Sequence, residues 1–256
     1  MSVSGSRKVG VDELGSPPFL NVLCYPSGSK SEALRRIISL KELGVEALEF
    51  RGRTEVGSLK VLGKGHVGVV VACFWRGKRA ALKVRRADAD RPSLEGEGEV
   101  LKEANKADLG PILFAASRDF VVMEELVGVN LVDWLGSAGD LADGVFKNIL
   151  ADICGQARLL DVAGVDHKEL SDPRRHVMIQ PDGRARVLDF ETAAVGDRRR
   201  NVNDLVQYLT LSGQYGQVVL SRLGAEREDV LAALKAYRRS PGDDSYRRIL
   251  RSMKLA

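Results

Sequence analysis

The sequence has few cysteines, no long hydrophobic run and little net charge, and each shortage excludes a class of protein. Its three cysteines, Cys24, Cys73 and Cys154, lie far apart and show no metal-ligand spacing. They give neither a disulfide framework nor a zinc motif, so we expect a reducing, cytoplasmic environment. The longest apolar run, residues 67–75, is far too short to cross a bilayer. The sequence therefore predicts a cytoplasmic protein without a membrane-spanning segment.

The charge is nearly balanced, which excludes a strongly basic nucleic-acid packaging protein. The chain has 39 basic and 35 acidic residues, for a net charge of +4. Residues 235–256 alone carry +5, so the rest of the chain sums to −1. This basic tail is interpreted either as a solvated helix face or as a docking patch for an anionic partner such as RNA or a ribonucleoprotein. Its basic residues are Lys235, Arg238, Arg239, Arg247, Arg248, Arg251 and Lys254.

The order of the predicted elements indicates an α+β protein. Hydrophobic residues make up 44% of the chain, which is enough for a packed core and excludes a disordered chain. Strand patterns dominate the first half, where 58–84 is predicted to form an antiparallel meander, and helical periodicity dominates after about residue 127. The predicted strands are 19–23, 45–50, 58–62, 67–75, 79–84 and 120–123, and the predicted helices are 31–44, 93–106, 145–160, 202–209, 227–239 and 245–253.

A glycine-rich turn is the most informative local motif. Gly63, Gly65 and Gly68 match the pattern G-x-G-x-x-G, in which backbone amides can approach phosphate oxygens without side chains in the way. A dinucleotide-binding turn of this kind opens a helix. Here the residues after Gly68 are β-type, so the turn is predicted to join two strands and to cover a phosphate group. A glycine-rich hairpin without a ligand is the alternative that this motif alone leaves open.

The next strand carries a lysine that could reach the same phosphates. The segment Gly63-Lys64-Gly65-x-x-Gly68-x-Val70, followed by Ala81-Leu82-Lys83, resembles the glycine-rich loop and third-strand lysine of the protein-kinase-like superfamily. This resemblance implies a bilobal fold with a β-rich first lobe, a reduced helical second lobe and ATP in the cleft. It also implies that Lys64, Val70 and Ala81 line the nucleotide site with the glycines.

In this superfamily a carboxylate on the following helix holds the lysine. Four glutamates are available in the predicted helix: Glu95, Glu97, Glu99 and Glu103. Glu97 lies on the same helical face as the apolar Leu101, whereas Glu99 and Glu103 pair on a polar face. Glu97 is therefore predicted to pair with Lys83.

The segment that follows the strand at 120–123 resembles the hinge between the two kinase lobes. The resemblance implies that adenine bonds to the backbone of Glu124 and Leu126, and that Met123 lines the back of the pocket. The alternative, a core strand that simply ends in a loop, stays open.

Two segments in the second half resemble the catalytic loop and the metal-binding motif of the same superfamily. Asp189, at the end of an apolar strand, matches the metal-binding aspartate. Glu169 stands where the catalytic-loop aspartate is usual, and Asp172 is an alternative base. Glu191 replaces the usual glycine, a variant similar to RIO-like kinases and to archaeal predicted serine/threonine kinases. The resemblance therefore implies an atypical kinase that uses ATP and Mg²⁺.

The rest of the loop departs from the common pattern. The superfamily usually has an asparagine five residues after the catalytic-loop acid. In this sequence that position is Arg174, or His176 if the loop is two residues longer. Imidazole is a poor ligand for Mg²⁺, so His176 would be an unconventional second metal ligand, while Arg174 or Arg175 could instead stabilise phosphate charge. His167 is predicted to pack beneath the loop. Asp204 resembles the buried aspartate that anchors the loop backbone, although a first-turn aspartate favoured by the helix dipole is the alternative.

These observations predict an N-terminal extension (1–57), a kinase-like first lobe (58–126) and a reduced helical second lobe (127–256). The predicted activity is ATP-dependent phosphorylation, with protein serine or threonine as the acceptor. The alternatives are a small-molecule phosphotransferase and a nucleotide-binding scaffold that docks RNA through the basic tail. Fold alone does not choose among them.

Overall fold

The computed structural model describes residues 6–196 and 198–256, and the fold class is α+β, as the sequence predicts. The chain divides into two compact units. The first holds residues 6–99 and Ile112–Leu126, and the second holds Val100–Pro111 and Val127–Ala256. Within the described ranges, none of the helices has the length and apolar character needed to cross a membrane.

The first unit is built on an antiparallel sheet. In the part of the chain that the structure describes, seven strands join it in the order β1-β2-β6-β7-β9-β8, with β5 paired to β6, while β3 and β4 form a separate hairpin. The strands are β1 (Arg7–Gly10), β2 (Val45–Phe50), β3 (Thr54–Val56), β4 (Leu59–Val61), β5 (Gly63–Lys64), β6 (Gly68–Trp75), β7 (Lys78–Arg85), β8 (Leu113–Ala116) and β9 (Phe120–Met123), and the helices are α1 (Leu20–Leu23), α2 (Lys30–Leu43) and α3 (Glu95–Asn105), which ends in the second unit.

Side chains along β6 and β7 alternate between the two faces of the sheet, and those on one face form the core of this unit. Val69, Val71 and Cys73 point to one face of the sheet and are almost fully buried, as are Leu82 and Val84 on the next strand. Each such side chain stabilises the fold by about 1.5–3 kcal/mol relative to an exposed one. Helix α2 contributes Ala33, Ile37 and Leu40 to the same cluster.

The ends of α2 follow from two local signals. The side chain of Ser29 accepts a hydrogen bond from the amide of Glu32 at 3.1 Å and caps the start of the helix. Gly44 adopts a φ of 85° and ends it, a conformation that glycine adopts without strain. The predicted helix at 31–44 and the predicted strand at 45–50 are both confirmed.

Residues 6–57, which the predicted boundaries place in an N-terminal extension, contribute two strands to the main sheet of the first unit. β1 pairs with β2, and β2 pairs with β6, so these residues belong to the main sheet. The predicted strand at 19–23 is instead the short helix α1, with Leu20, Val22 and Leu23 buried. In a short apolar run, periodicity cannot separate a strand from a buried helical turn.

The predicted meander also needs one correction. β6 and β7 pair as expected, but Leu59–Val61 pairs with β3 instead of β6. The strand that leads into the glycine turn is the two-residue β5, which pairs with β6.

The second unit is mainly helical. Its helices are α4 (Leu131–Ser137), α5 (Asp143–Ala163), α6 (Asn201–Gln207), which continues as a π-helical turn at Tyr208–Ser212, α7 (Gly216–Leu223), α8 (Arg227–Arg239) and α9 (Asp243–Ser252). Its short strands are β10 (Val129–Asn130), β11 (Val165–Asp166), β12 (Val177–Ile179), β13 (Ala185–Val187) and β14 (Ala194–Val195). They form a three-stranded sheet, β10-β12-β13, and the pair β11-β14.

The second unit also takes in residues 100–111, which the predicted boundaries place in the first lobe. Arg186 on β13 donates a hydrogen bond to the carbonyl of Asp108 at 2.7 Å. A Cβ atom on Gly110 would lie only 2.6 Å from the ring of Phe190, so glycine allows this segment to pack closely. These contacts explain why the segment belongs to the second unit.

Candidate functional site

The glycine motif forms a tight hairpin between β5 and β6, as predicted. The amide of Gly65 donates to the carbonyl of Gly68 at 2.8 Å, and Gly63 pairs with Val70. Arg86 holds the tip, because its guanidinium donates to the carbonyl of Gly65 at 3.1 Å. The turn therefore joins two strands and does not open a helix.

Glycine stands at the three positions of the hairpin for different physical reasons. A Cβ atom on Gly68 would lie 2.9 Å from Cγ and 3.1 Å from Cε of Lys83. Gly63 has no other atom within 4 Å of such a Cβ atom, and Gly65 has its nearest at 3.8 Å. Gly68 is therefore required by the path of the Lys83 side chain, whereas the other two leave open space at the turn.

We expect Gly68→Ala to lower the free energy of unfolding by about 2 kcal/mol, because the added methyl group would overlap the stem of Lys83. This loss corresponds to a Tm lower by about 4–8 °C. Gly63→Ala is the matched control, since the open space there predicts a change below about 0.5 kcal/mol. Thermal unfolding followed by circular dichroism measures both variants, and equal shifts would contradict this account of Gly68.

Lys83 forms a buried ion pair with Glu97. The Nζ atom lies 2.8 Å from Oε1 of Glu97, and both residues are at most 5% exposed. Lys83 is fixed on the central strand β7, and Glu97 lies in the first turn of α3. Gly98 lets this turn approach β8, because a Cβ atom there would lie 2.6 Å from the Cβ of Ala116. Among the four candidate glutamates, the structure thus places Glu97 against the lysine.

The predicted hinge residues follow β9. Met123 lies beside Ala81 in the sheet register. The amide of Glu124 donates to the carbonyl of Ile112 at 2.8 Å, so of its two backbone polar groups only the carbonyl oxygen is left to meet an adenine. Leu126 is the last residue of the first unit.

In the second unit, His167 supports the loop that carries Glu169. Its ring is fully buried, and Nε2 lies 2.9 Å from the carbonyl of Leu188. Because a carbonyl only accepts, Nε2 carries the proton. Burial is the main cause that lowers the pKa of His167 to about 4, so the ring is neutral at physiological pH. The prediction that His167 packs beneath the loop agrees with this geometry.

Three predicted site residues converge in the second unit. Ligand atoms of Glu169, His176 and Asp189 all lie within 4.8 Å of one another. Oε2 of Glu169 is 3.5 Å from Nε2 of His176. Asp189 has a φ of 63°, a left-handed conformation that aspartate tolerates better than most residues. The loop and the end of β13 therefore bring two carboxylates and an imidazole together.

Asp172, the alternative base, is engaged elsewhere. Both of its carboxylate oxygens accept hydrogen bonds of 2.6 Å from the guanidinium of Arg174. These hydrogen bonds are the main cause that lowers the pKa of Asp172, which weakens it as a base. The same contact engages Arg174, one of the arginines predicted to stabilise phosphate charge.

The loop anchor predicted at Asp204 is instead Asn201, one helical turn earlier. Oδ1 of Asn201 accepts from the backbone amide of His167 at 3.0 Å, and its Nδ2 donates to the carbonyl of Val165 at 2.8 Å. Asp204 faces Arg200 at 3.7 Å. The prediction chose the wrong side chain because an anchor of this backbone must both accept and donate, which an ionised carboxylate cannot do.

A buried carboxylate that the sequence reasoning missed holds this anchor. Asp161 is fully buried and accepts from Nδ2 of Asn201 and from the hydroxyl of Tyr237, both at 2.8 Å. Burial raises the pKa of Asp161, and these hydrogen bonds partly offset the rise. Its signal in the sequence was an acidic residue at a core position of α5, beside the buried Ala157 and Leu160.

The basic C-terminal segment forms α8 and α9 and the residues that follow them. Arg158 connects both helices to α5, since it donates to the hydroxyl of Tyr237 at 3.0 Å and to Asp243 at 2.7 Å. All seven basic residues of the segment are exposed, namely Lys235, Arg238, Arg239, Arg247, Arg248, Arg251 and Lys254.

Each unit presents its own set of chemical groups. The first offers a glycine hairpin and a buried ammonium, which suit an anionic phosphate chain. The second offers carboxylates that suit a divalent cation and could accept a proton. A scan of the sequence against models of known protein families finds no match.

Proposed function

We propose that this chain has a bilobal protein-kinase-like fold and transfers a phosphoryl group from ATP to a hydroxyl, with protein serine or threonine as the acceptor. The observation that carries the proposal is the buried pair of Lys83 and Glu97 next to the glycine hairpin. A buried ion pair contributes little net stability compared with apolar residues of similar volume. Charged groups kept in such a place are typical of functional sites.

In this proposal the first unit binds the nucleotide. The backbone of the hairpin at Gly63–Lys64 and the following turn would cover the phosphates, and Lys83 would contact the α- and β-phosphate oxygens. Glu97 keeps the ammonium in place through the 2.8 Å contact. The carbonyl of Glu124 and the backbone of Leu126 would bind the adenine ring, with Met123 beside it.

The second unit supplies the groups for the transfer. The carboxylates of Asp189 and Glu169 are hard oxygen ligands that fit Mg²⁺, whereas the imidazole of His176 does not favour this ion. A bound divalent cation would neutralise charge on the transferred phosphate. Glu169 would accept the proton of the acceptor hydroxyl. Its loop is held by the buried His167 ring and by Asn201.

The test is transfer of label from [γ-³²P]ATP to a generic protein acceptor such as casein. We expect Lys83→Ala to lower the rate at least about 100-fold, because the phosphates lose their charged contact. Lys83→Arg, which keeps the charge beside Glu97, guards against simple unfolding and should also be slow, since its planar guanidinium differs in shape. Lys78→Ala is the matched control, because Lys78 is exposed on the same strand.

A failure of wild-type protein to bind ATP, or binding without transfer to any hydroxyl acceptor, would rule out this function. Label on small hydroxyl compounds but not on protein would replace the protein acceptor with a small-molecule one.

A further inference from the structure

The hydroxyl of Tyr237 on α8 lies at the centre of a buried chain of hydrogen bonds in the second unit. Tyr237 is fully buried, and its hydroxyl donates to Oδ2 of Asp161 at 2.8 Å and accepts from the guanidinium of Arg158 at 3.0 Å. Burial is the main cause that raises the pKa of Tyr237, and the charge of Asp161 adds to the rise, so the hydroxyl keeps its proton. The direction of both hydrogen bonds is therefore fixed, from Arg158 to Tyr237 and from Tyr237 to Asp161.

Asp161 connects Tyr237 to the start of α6. Its Oδ1 accepts from the amide of Asn201 at 3.0 Å and from Nδ2 of the same residue at 2.8 Å. Its Oδ2 also accepts from the amide of Val202 at 3.3 Å. A buried carboxylate is tolerated only where such donors surround it, so its orientation follows theirs. The place of Asn201 therefore depends in part on the donor that α8 supplies.

Asn201 in turn holds the loop that carries Glu169. Its Oδ1 accepts from the amide of His167 at 3.0 Å, while its Nδ2 donates to Asp161. The carbonyl of His167 accepts from the hydroxyl of Thr192 at 3.2 Å, so the backbone two residues before Glu169 is held at both of its polar groups. Because the two ends of the Asn201 amide are engaged, a shift of Asp161 would be transmitted to the loop.

We infer that Tyr237 is a positioning residue, which fixes the loop of Glu169 through Asp161 and Asn201 and acts on the transfer step only through that loop. The inference rests on the proposed phosphoryl transfer and adds that the C-terminal helices support the chemical step, not nucleotide binding. Misplacing a catalytic group by about 1 Å can lower a rate about 100-fold. Removing one of several donors to Asp161 should displace Glu169 by less, so a smaller loss is expected.

The test uses Tyr237→Phe, which removes only the hydroxyl and keeps the buried ring, so we expect the full chain to fold. Amide hydrogen exchange followed by NMR without ATP compares the amide of His167 with that of Ile153, a buried residue in the middle of α5. We expect exchange at His167 to become at least about 10-fold faster relative to Ile153. A loss of overall stability would accelerate both amides alike, so their ratio reports on the loop.

Steady-state rates with ATP and a protein acceptor give a second readout. We expect kcat of Tyr237→Phe to fall about 10-fold and KM for ATP to change less than about twofold, because the loop affects only the group that accepts the proton. Tyr246→Phe is the matched control. Tyr246 lies on α9 with its ring 6.0 Å from the guanidinium of Arg158, but it is not a donor to Asp161. This control should keep the wild-type exchange ratio and the wild-type kcat.

Equal changes in exchange at His167 and Ile153, or an unchanged kcat in Tyr237→Phe, would overturn the inference. The same loss of kcat in Tyr246→Phe would overturn it as well. A wild-type protein that transfers no phosphate would instead contradict the proposed function. In that case the exchange experiment, which needs no ATP, would still decide whether Tyr237 holds the loop.

Discussion

Replacing Asp189 by asparagine is expected to lower the rate of phosphoryl transfer by about 1,000-fold, equivalent to about 4 kcal/mol of lost transition-state stabilisation. The change removes one negative charge from the three-residue cluster while keeping the shape of the side chain. Asparagine tolerates the left-handed backbone at this position, where φ is 63°, so we expect the fold to persist. Initial rates with [γ-³²P]ATP and a protein acceptor measure the effect.

The matched control is Asp182→Asn. Asp182 is an exposed aspartate that bonds to Arg184 at 2.7 Å in the turn between β12 and β13. Its replacement removes the same charge from the same unit and should change the rate less than about twofold. If both variants retained the wild-type rate, the role proposed for Asp189 would be wrong. Thermal unfolding of each variant separates lost chemistry from lost structure.

The second large effect concerns stability, and Asp119→Asn is expected to lower the free energy of unfolding by about 3–5 kcal/mol at pH 7. Asp119 is 1% exposed and accepts hydrogen bonds from Arg35 at 2.6 Å, Arg36 at 3.2 Å and Arg85 at 2.9 Å. Arg36 is itself fully buried. An amide in place of the carboxylate would leave these guanidinium groups without their shared anion.

The same contacts set a pH dependence. Burial by itself would raise the pKa of Asp119, but the hydrogen bond from Arg35 and the charge of Arg36 outweigh it and lower the pKa below its ordinary value of 3.8. The folded state therefore favours the ionised form. The resulting stability is present above the ordinary pKa and is lost as pH falls through the lower pKa of the folded state.

Urea unfolding between pH 7 and pH 2 measures this dependence. The difference between wild type and Asp119→Asn should be largest at neutral pH and should narrow below about pH 4. Asp88→Asn is the control, because Asp88 bonds to Arg86 on an exposed part of the first unit and should change stability little. A difference that stays constant over the whole range would contradict the ion-pair account.

The elements that the sequence predicts well are those fixed by neighbours along the chain. α2 begins after the Ser29 cap and ends at Gly44, and α8 covers the predicted 227–239. The hairpin at Gly63–Gly68 follows from turn glycines flanked by β-branched residues. Helical periodicity also selected Glu97 from four glutamates, because only one of them lay on the apolar face that approaches the sheet.

The predictions that failed depended on partners far along the chain. The segment at 19–23 is apolar enough for either a strand or a helix, and only its packing within the first unit's core shows that it is a helix. Asn201 and Asp204 are both polar residues near the start of α6, and only the position of the His167 backbone shows which one anchors the loop. No local pattern distinguishes such cases.

The sequence by itself therefore determined the α+β class, most helices and strands, and the side chains that converge as Lys83 with Glu97 and as Glu169 with Asp189. Only the tertiary structure decided that β1 and β2 complete the main sheet, that Asp119 gathers three arginines, and that Asp161 and Asn201 support the loop. The physical reason is the distance along the chain between the residues that interact. Caps, turns and periodicity act over a few residues, whereas the buried carboxylate of Asp119 is paired by arginines 34 to 84 positions away in the chain.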